Sequence, residues 1–166
     1  LPPGCGDSSS LDPIVAVSVH DDGGCIVLAD GHVFCWGSAG NGRRGDDTTT
    51  GMTQLIQAVR PFVADDGFQD NVTNIVAING GDTTTCALRT DGRALCWGGN
   101  SLRQTSGTAM GDRQRAVRVM ISANGATLLK NAISVTAGGE QSCAMTEGWV
   151  RCWGARTGNT TFPSGP

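Results

Sequence analysis

One pattern occurs three times along this chain, and it constrains the fold more than anything else in the sequence. A cysteine opens a short run of β-forming residues, a turn with glycine interrupts it, and Cys-Trp-Gly closes it. The copies occupy residues 25–37, 86–98 and 143–154, and Trp36, Trp97 and Trp153 are separated by 61 and 56 residues. Periods of this length mark repeat architectures, in which each copy is one supersecondary unit that buries its faces against its neighbours. Each copy is preceded by an apolar segment, at residues 14–17, 75–78 and 133–135, followed by a stretch rich in Gly, Asp and Thr.

Each copy reads as a β-hairpin. Asp30-Gly31, Asp91-Gly92 and Glu147-Gly148 lie between two β-forming runs, where glycine supplies the positive φ of a tight turn. In the first two copies the cysteines are ten residues apart, so a three-residue loop (29–31 or 90–92) places Cys25 opposite Cys35 and Cys86 opposite Cys96. In the third they are nine apart, and a two-residue Glu147-Gly148 turn places Cys143 opposite Cys152. Directly opposed residues of an antiparallel pair have Cα atoms about 4.5 to 5.5 Å apart, within reach of a disulfide. Three within-hairpin disulfides are the expectation, with six reduced core cysteines as the alternative.

Residues 52–62 and 116–122 are moderately apolar, follow turn-rich sequence and read as outer strands. One unit is then an inner strand, the hairpin pair and an outer strand. No stretch sustains a helical period, although residues 54–60 are short enough to be ambiguous. The expected fold is all-β, built from three four-stranded repeats, the last incomplete because no outer strand is evident after it. Residues 1–13 form an N-terminal arm, 14–74 the first blade, 75–132 the second and 133–166 the third.

The run of Ile75-Val76-Ala77-Ile78, Gly80-Gly81-Asp82, Cys86-Ala87-Leu88, Asp91-Gly92 and Cys96-Trp97-Gly98, echoed in the other copies, resembles the regulator of chromosome condensation repeat family in its Cys-containing bacterial form. The resemblance covers about residues 14–162. It implies β-propeller blades with Trp36, Trp97 and Trp153 packed between neighbours. Propellers of that family close with seven blades, so three blades imply an array that is open or completed by oligomerisation. The family includes nucleotide-exchange factors, protease and β-lactamase inhibitors, and surface or adhesion modules, so it implies the fold more narrowly than the function.

Composition narrows the function classes. Charged residues are 16% of 166 and the net charge is −3, which supplies no basic field for nucleic acid. No apolar stretch approaches the roughly 18 residues needed to span a bilayer, so no transmembrane segment is expected. Seven cysteines without metal-ligand spacing, beside only two histidines, point to disulfides in an oxidising compartment and hence to a secreted or cell-surface protein. Cys5 is left over after three hairpin pairs, which makes it a candidate for an intermolecular disulfide or a lipid anchor.

Several motifs carry residue types that could serve chemistry. Gly40-Asn41-Gly42-Arg43-Arg44-Gly45 satisfies the dinucleotide fingerprint literally, but loop sequence follows where the fingerprint needs a helix, so Arg43 and Arg44 read as a solvated loop pair. Asp21-Asp22 and Asp65-Asp66 lie outside any calcium-loop pattern, and His20-Asp21 has no partner nucleophile in recognisable context. No catalytic constellation, metal site or cofactor is expected. Asn71 and Asn159 begin N-glycosylation sequons, and the runs 48–50 and 83–85 offer threonines for O-linked glycans. Trp149 falls outside the repeat pattern and is a candidate for an exposed contact.

The function expected from these features is a secreted, non-enzymatic surface or extracellular assembly protein that associates with copies of itself through open blade ends. The alternative is a binding module whose loops at 40–50 and 99–111, with Arg43, Arg44, Arg103 and Arg113, contact another extracellular protein or a carbohydrate.

Overall fold

The computed structural model describes residues 12–59, 72–105, 110–121, 127–155 and 161–163. They form twelve strands in three antiparallel four-stranded sheets. Blade 1 contains β1 (Ile14–His20), β2 (Gly23–Leu28), β3 (Val33–Ser38) and β4 (Met52–Ala58) in that order. Blade 2 repeats it with β5 (Ile75–Gly80), β6 (Thr84–Arg89), β7 (Ala94–Gly98) and β8 (Arg113–Arg118). Blade 3 contains β9 (Ser134–Ala137), β10 (Gln141–Met145), β11 (Trp149–Gly154) and β12 (Thr161–Pro163).

The third blade therefore corrects the expectation of an incomplete repeat. β12 pairs Thr161 with Arg151 and Phe162 with Val150, and ends where Pro163 faces Trp149. Proline lacks a ladder donor but is tolerated on an edge strand, and three residues are too short for a period to register in sequence. Outer strand β8 also begins earlier than its apolar content indicates. Arg113, Arg115 and Arg118 belong to it, because an outer strand has one face toward solvent and carries charge there.

Registers repeat from blade to blade. Cys25 pairs with Cys35, Cys86 with Cys96 and Cys143 with Cys152, and each pair is disulfide-bonded with Cα atoms 4.1, 4.1 and 4.0 Å apart. Turn hydrogen bonds from Gly31 to Leu28 and from Gly92 to Arg89 close three-residue loops, while Thr146 donates to Trp149 across the shorter turn. The glycine of each Cys-Trp-Gly triplet takes a left-handed conformation, with φ of +93° at Gly37, +99° at Gly98 and +109° at Gly154. Any side chain at Gly37 would meet the Asp22 carbonyl oxygen at 2.0 Å, so the triplet requires glycine there.

The apolar core lies between blades. One cluster joins Cys25, Val27, Val33 and Cys35 of blade 1 to Ile75, Ile78, Leu95 and Trp97 of blade 2. A second joins Cys86, Leu88 and Cys96 of blade 2 to Val135, Ala144 and Trp153 of blade 3 and to Ala132, which leads into it. Blade 2 serves both seams, and every residue of β7 is buried. Among the described residues no helix is long and apolar enough to cross a membrane.

Candidate functional site

Three contacts are made at both seams and define what one blade offers the next. The indole Nε1 of Trp97 donates to the Arg43 carbonyl at 2.8 Å, and that of Trp153 to the Gln104 carbonyl at 2.8 Å. On the inner strands, the Gly80 N–H donates to Ser18 Oγ at 2.6 Å and the Ala137 N–H to Asn79 Oδ1 at 2.7 Å. At the hairpin tips, Ile75 N–H donates to the Gly31 carbonyl at 3.1 Å and Ala132 N–H to the Gly92 carbonyl at 2.9 Å. Each blade thus has a leading face, carrying apolar side chains and donors, and a trailing face, carrying acceptors and the disulfide.

The leading face of blade 1 is uncovered. Val17 sits opposite Ile26, one residue before the partner of Cys25, where blades 2 and 3 place Ile78 and Val135. Val17 is 63% exposed, whereas Ile78 and Val135 are 9% and 8% exposed. Ile14 is 60% exposed where Ile75 and Ala132 are 2% and 5%. Val19 is exposed too, and Trp36 is half-buried while Trp97 and Trp153 are fully buried. Among the described residues, two of the three tryptophans expected between blades, Trp97 and Trp153, are sandwiched, and Trp36 is half-buried.

The trailing face of blade 3 is open in the complementary way. Thr136, at the position of Ser18 and Asn79, is exposed, and its hydroxyl donates to Asn79 Oδ1 of blade 2 at 3.1 Å. A Cβ on Gly31 would strike the Asn74 nitrogen at 2.6 Å and one on Gly92 would approach Asn131 at 3.0 Å, yet one on Gly148 meets nothing within 4 Å. Cys25, Cys35, Cys86 and Cys96 are fully buried by the blade that follows them; Cys143 is half-buried.

The other sequence-derived candidates are dispersed. Arg44 is not a solvated loop residue. It is buried, ion-pairs with Asp46 at 2.9 Å, and donates to the Gly37 carbonyl at 3.0 Å and to Thr48 Oγ1 at 2.7 Å, bracing the loop that carries the Arg43 carbonyl. Arg43 ion-pairs with Asp22 at 3.2 Å, and its backbone serves Trp97. Residues Gly40–Gly42 form one short 3-10 turn, with no helix to hold a pyrophosphate. Arg103 is exposed with φ of +66°, matching Gly42 at +77° in the preceding blade, and stands apart from Arg43 in a different loop. Trp149 is half-buried against the second core cluster and lines an open groove of about 490 Å³ with Lys130, Ile133 and Glu147. Cys5, Asn71 and Asn159 lie outside the described residues.

His20 was not singled out as a seam residue by its sequence. It lies against Gly80 of blade 2, where a Cβ would meet its ring at 3.3 Å, and neither ring nitrogen has a hydrogen-bond partner among the described residues. Burial first, and then the Arg43 charge, hold its pKa below the usual imidazole value, with Asp21 and Asp22 opposing.

Residues 75–104 match the Regulator of chromosome condensation (RCC1) repeat. No curated protein matches the chain in sequence. Among solved structures, human WBSCR16 is similar with a TM-score of 0.72 at 17% identity, over 92% of this chain and 37% of its own. Yeast RCC1 (Prp20), crystallised with Kap60 bound, gives 0.61 at 19% identity over 89% of this chain and 31% of its own. Prp20p from Saccharomyces cerevisiae, whose structure was reported with its binding to Gsp1p and histones, gives 0.61 at 18% identity over 89% and 32%. These likenesses show the fold, which is that of part of an RCC1-type propeller in an open array. The chain spans 31–37% of the length of these three solved chains.

Proposed function

We propose that this chain is an extracellular, non-enzymatic assembly module, which completes its open array of RCC1-type blades by associating with further blades. The observation that carries this reading is the leading face of blade 1. Ile14, Val17 and Val19 are exposed together on one strand, beside a half-buried Trp36, and the positions of Ile14 and Val17 are buried in the other two blades. Contiguous apolar surface of this kind marks an interface, and the two internal seams indicate the shape it accepts. Three disulfide-closed hairpins support an oxidising, extracellular setting.

The loop-binding alternative has weaker support. Arg44 is committed to its own loop and Arg43 to Asp22, which removes two of the four arginines from any ligand. The test is native mass by light scattering over a range of concentrations, with and without reductant, beside an intact mass that counts disulfides and glycans. A native mass several-fold above the 17.1 kDa of the chain supports assembly, and its loss in mild reductant assigns a share to Cys5. A monomer at every concentration overturns assembly and leaves the loop-binding module.

A further inference from the structure

We infer that the seam between blades 1 and 2 is a pH-sensitive joint, closed while the His20 imidazole is neutral and loosened when it takes up a proton. Both sides of this seam belong to the chain itself, so the joint works whatever completes the array. His20 ends β1, two residues past Ser18, whose Oγ accepts the Gly80 N–H that ties the two inner strands together. The His20 ring lies 3.3 Å from the place a Cβ would take on Gly80, and the hydroxyl of buried Thr85 lies 3.7 Å from the same point. Both ring nitrogens are buried without a hydrogen-bond partner among the described residues, as are Thr85 Oγ1 and Arg43 Nε. Ser18 faces Cys25 as Asn79 faces Cys86, so the residue of blade 2 that corresponds to His20 is Gly81. The second seam therefore repeats the contacts of the first without its histidine.

A neutral imidazole carries one N–H and one lone pair, whereas the imidazolium carries two N–H donors and a full charge. An unpaired buried charge costs far more than an unpaired neutral group. Among the described residues, the charged groups that face the ring are Arg43, Asp21 and Asp22, all of blade 1. Blade 2 faces it with Gly80 and Thr85, which are uncharged. The Arg43 side chain is 14% exposed, while Asp22, already paired with it at 3.2 Å, is 49% exposed, so water screens the carboxylate more than the guanidinium. Burial and then Arg43 accordingly hold the His20 pKa below its ordinary 6.5. Arg43 also lends its carbonyl to the Trp97 indole, so a repulsion that displaces its loop acts on the apolar seam of Cys25, Val27, Ile78 and Trp97.

Because the closed seam disfavours the proton, opening takes one up. The seam is fully held above the ordinary value of 6.5 and loses stability as the pH falls through it toward the lower value of the closed state. One such group lowers the closed-to-open ratio by at most about tenfold at about pH 5.5. The test is residue-resolved hydrogen exchange on the whole chain at about pH 7.5 and about pH 5.5, corrected for the intrinsic pH dependence of exchange. Three protons report the first seam directly: the Gly80 and Ile75 amides and the Trp97 indole N–H. Their counterparts at the second seam are the Ala137 and Ala132 amides and the Trp153 indole N–H. Protection at the first set is expected to fall by about three- to tenfold at the lower pH, and at the second by less than about twofold.

Variants assign the response to its residue. His20→Gln keeps a neutral polar side chain and is expected to abolish the response at the first seam. His32→Gln removes the other histidine, which is exposed and bonded to Asp30 at 2.7 Å, and is expected to leave the response intact. Should His20→Gln fail to fold at neutral pH, Arg43→Gln answers instead. Without the guanidinium the response is expected to shrink but not vanish, since burial of the ring remains. A His20→Gln protein that keeps the parent's response, or an Arg43→Gln protein whose response is undiminished, overturns the joint. A loss of protection shared equally by both seams would show a general effect of acid. A parent whose first seam is equally protected at both pH values would show that His20 takes up its proton with the seam closed, or takes up none.

Discussion

Two adjacent arginines show how much of the chemistry is decided residue by residue. Arg43 and Arg44 share one sequence context, yet Arg43 spends its backbone carbonyl on Trp97 while the Arg44 guanidinium is enclosed by Asp46, Thr48 and the Gly37 carbonyl. Removing one partner of a buried ion pair leaves the other charge desolvated and alone, at a cost of about 3 kcal/mol or more. Arg44→Ala is expected to lose about that much in urea unfolding. Arg44→Lys should recover only part of it, because an ammonium cannot reproduce the planar fork that reaches three acceptors. A loss below about 0.5 kcal/mol, the range of ordinary surface changes, would return Arg44 to the solvated pair expected from sequence. Adjacent polar residues in a Gly-rich loop carry no periodicity to say which one turns inward. The inward direction of Arg44 was accordingly illegible, as was the placement of His20 against Gly80.

The hairpins were the most legible elements, since cysteine spacing and glycine turns fix their register arithmetically. The nine-residue spacing in the third copy and its two-residue turn illustrate this, for the deletion falls where Cys143 still faces Cys152. Legibility weakens along the outer strands. The apolar stretch 52–62 marks β4, and that at 116–122 overlaps only the end of β8, which carries three arginines in six residues, while β12 has only three residues and no period to announce it. The three disulfides, alike in sequence, differ in their surroundings. Blade 2 covers Cys25–Cys35 and blade 3 covers Cys86–Cys96, whereas Cys143 remains half-buried. Thiol–disulfide exchange requires access to sulfur, so graded reduction of the native protein should open Cys143–Cys152 first. Alkylation and peptide mass mapping read the order directly, and labelling of Cys86 and Cys96 first would contradict the burial described for blade 2. Each bridge closes a short loop and is expected to contribute about 2 to 3 kcal/mol, chiefly by restricting the unfolded chain.

At the scale of the whole molecule the blades form a linear array, with stability divided between the sheets and the two seams that join them. Blade 2 has a neighbour on both sides, while blades 1 and 3 each leave one face to solvent. Local opening is easiest where fewest buried apolar contacts hold an element, so amide exchange in the dilute protein should be slowest in β6 and β7 and faster in β1 and β9. Mass action adds a second expectation: whatever binds the folded chain stabilises it in proportion to its concentration. If the assembly reading holds, raising the protein concentration should slow exchange at Ile14–His20 and around Thr136 and Gly148, while β6 and β7, already buried on both faces, change little. The pattern is diagnostic because it couples two surfaces at opposite ends of the array. Slowing at Ile14–His20 alone would mean leading faces meeting each other, and slowing confined to residues 40–50 and 99–105 would move the interaction to the loops. Slowing at both ends together is the signature of one blade continuing another across a chain boundary.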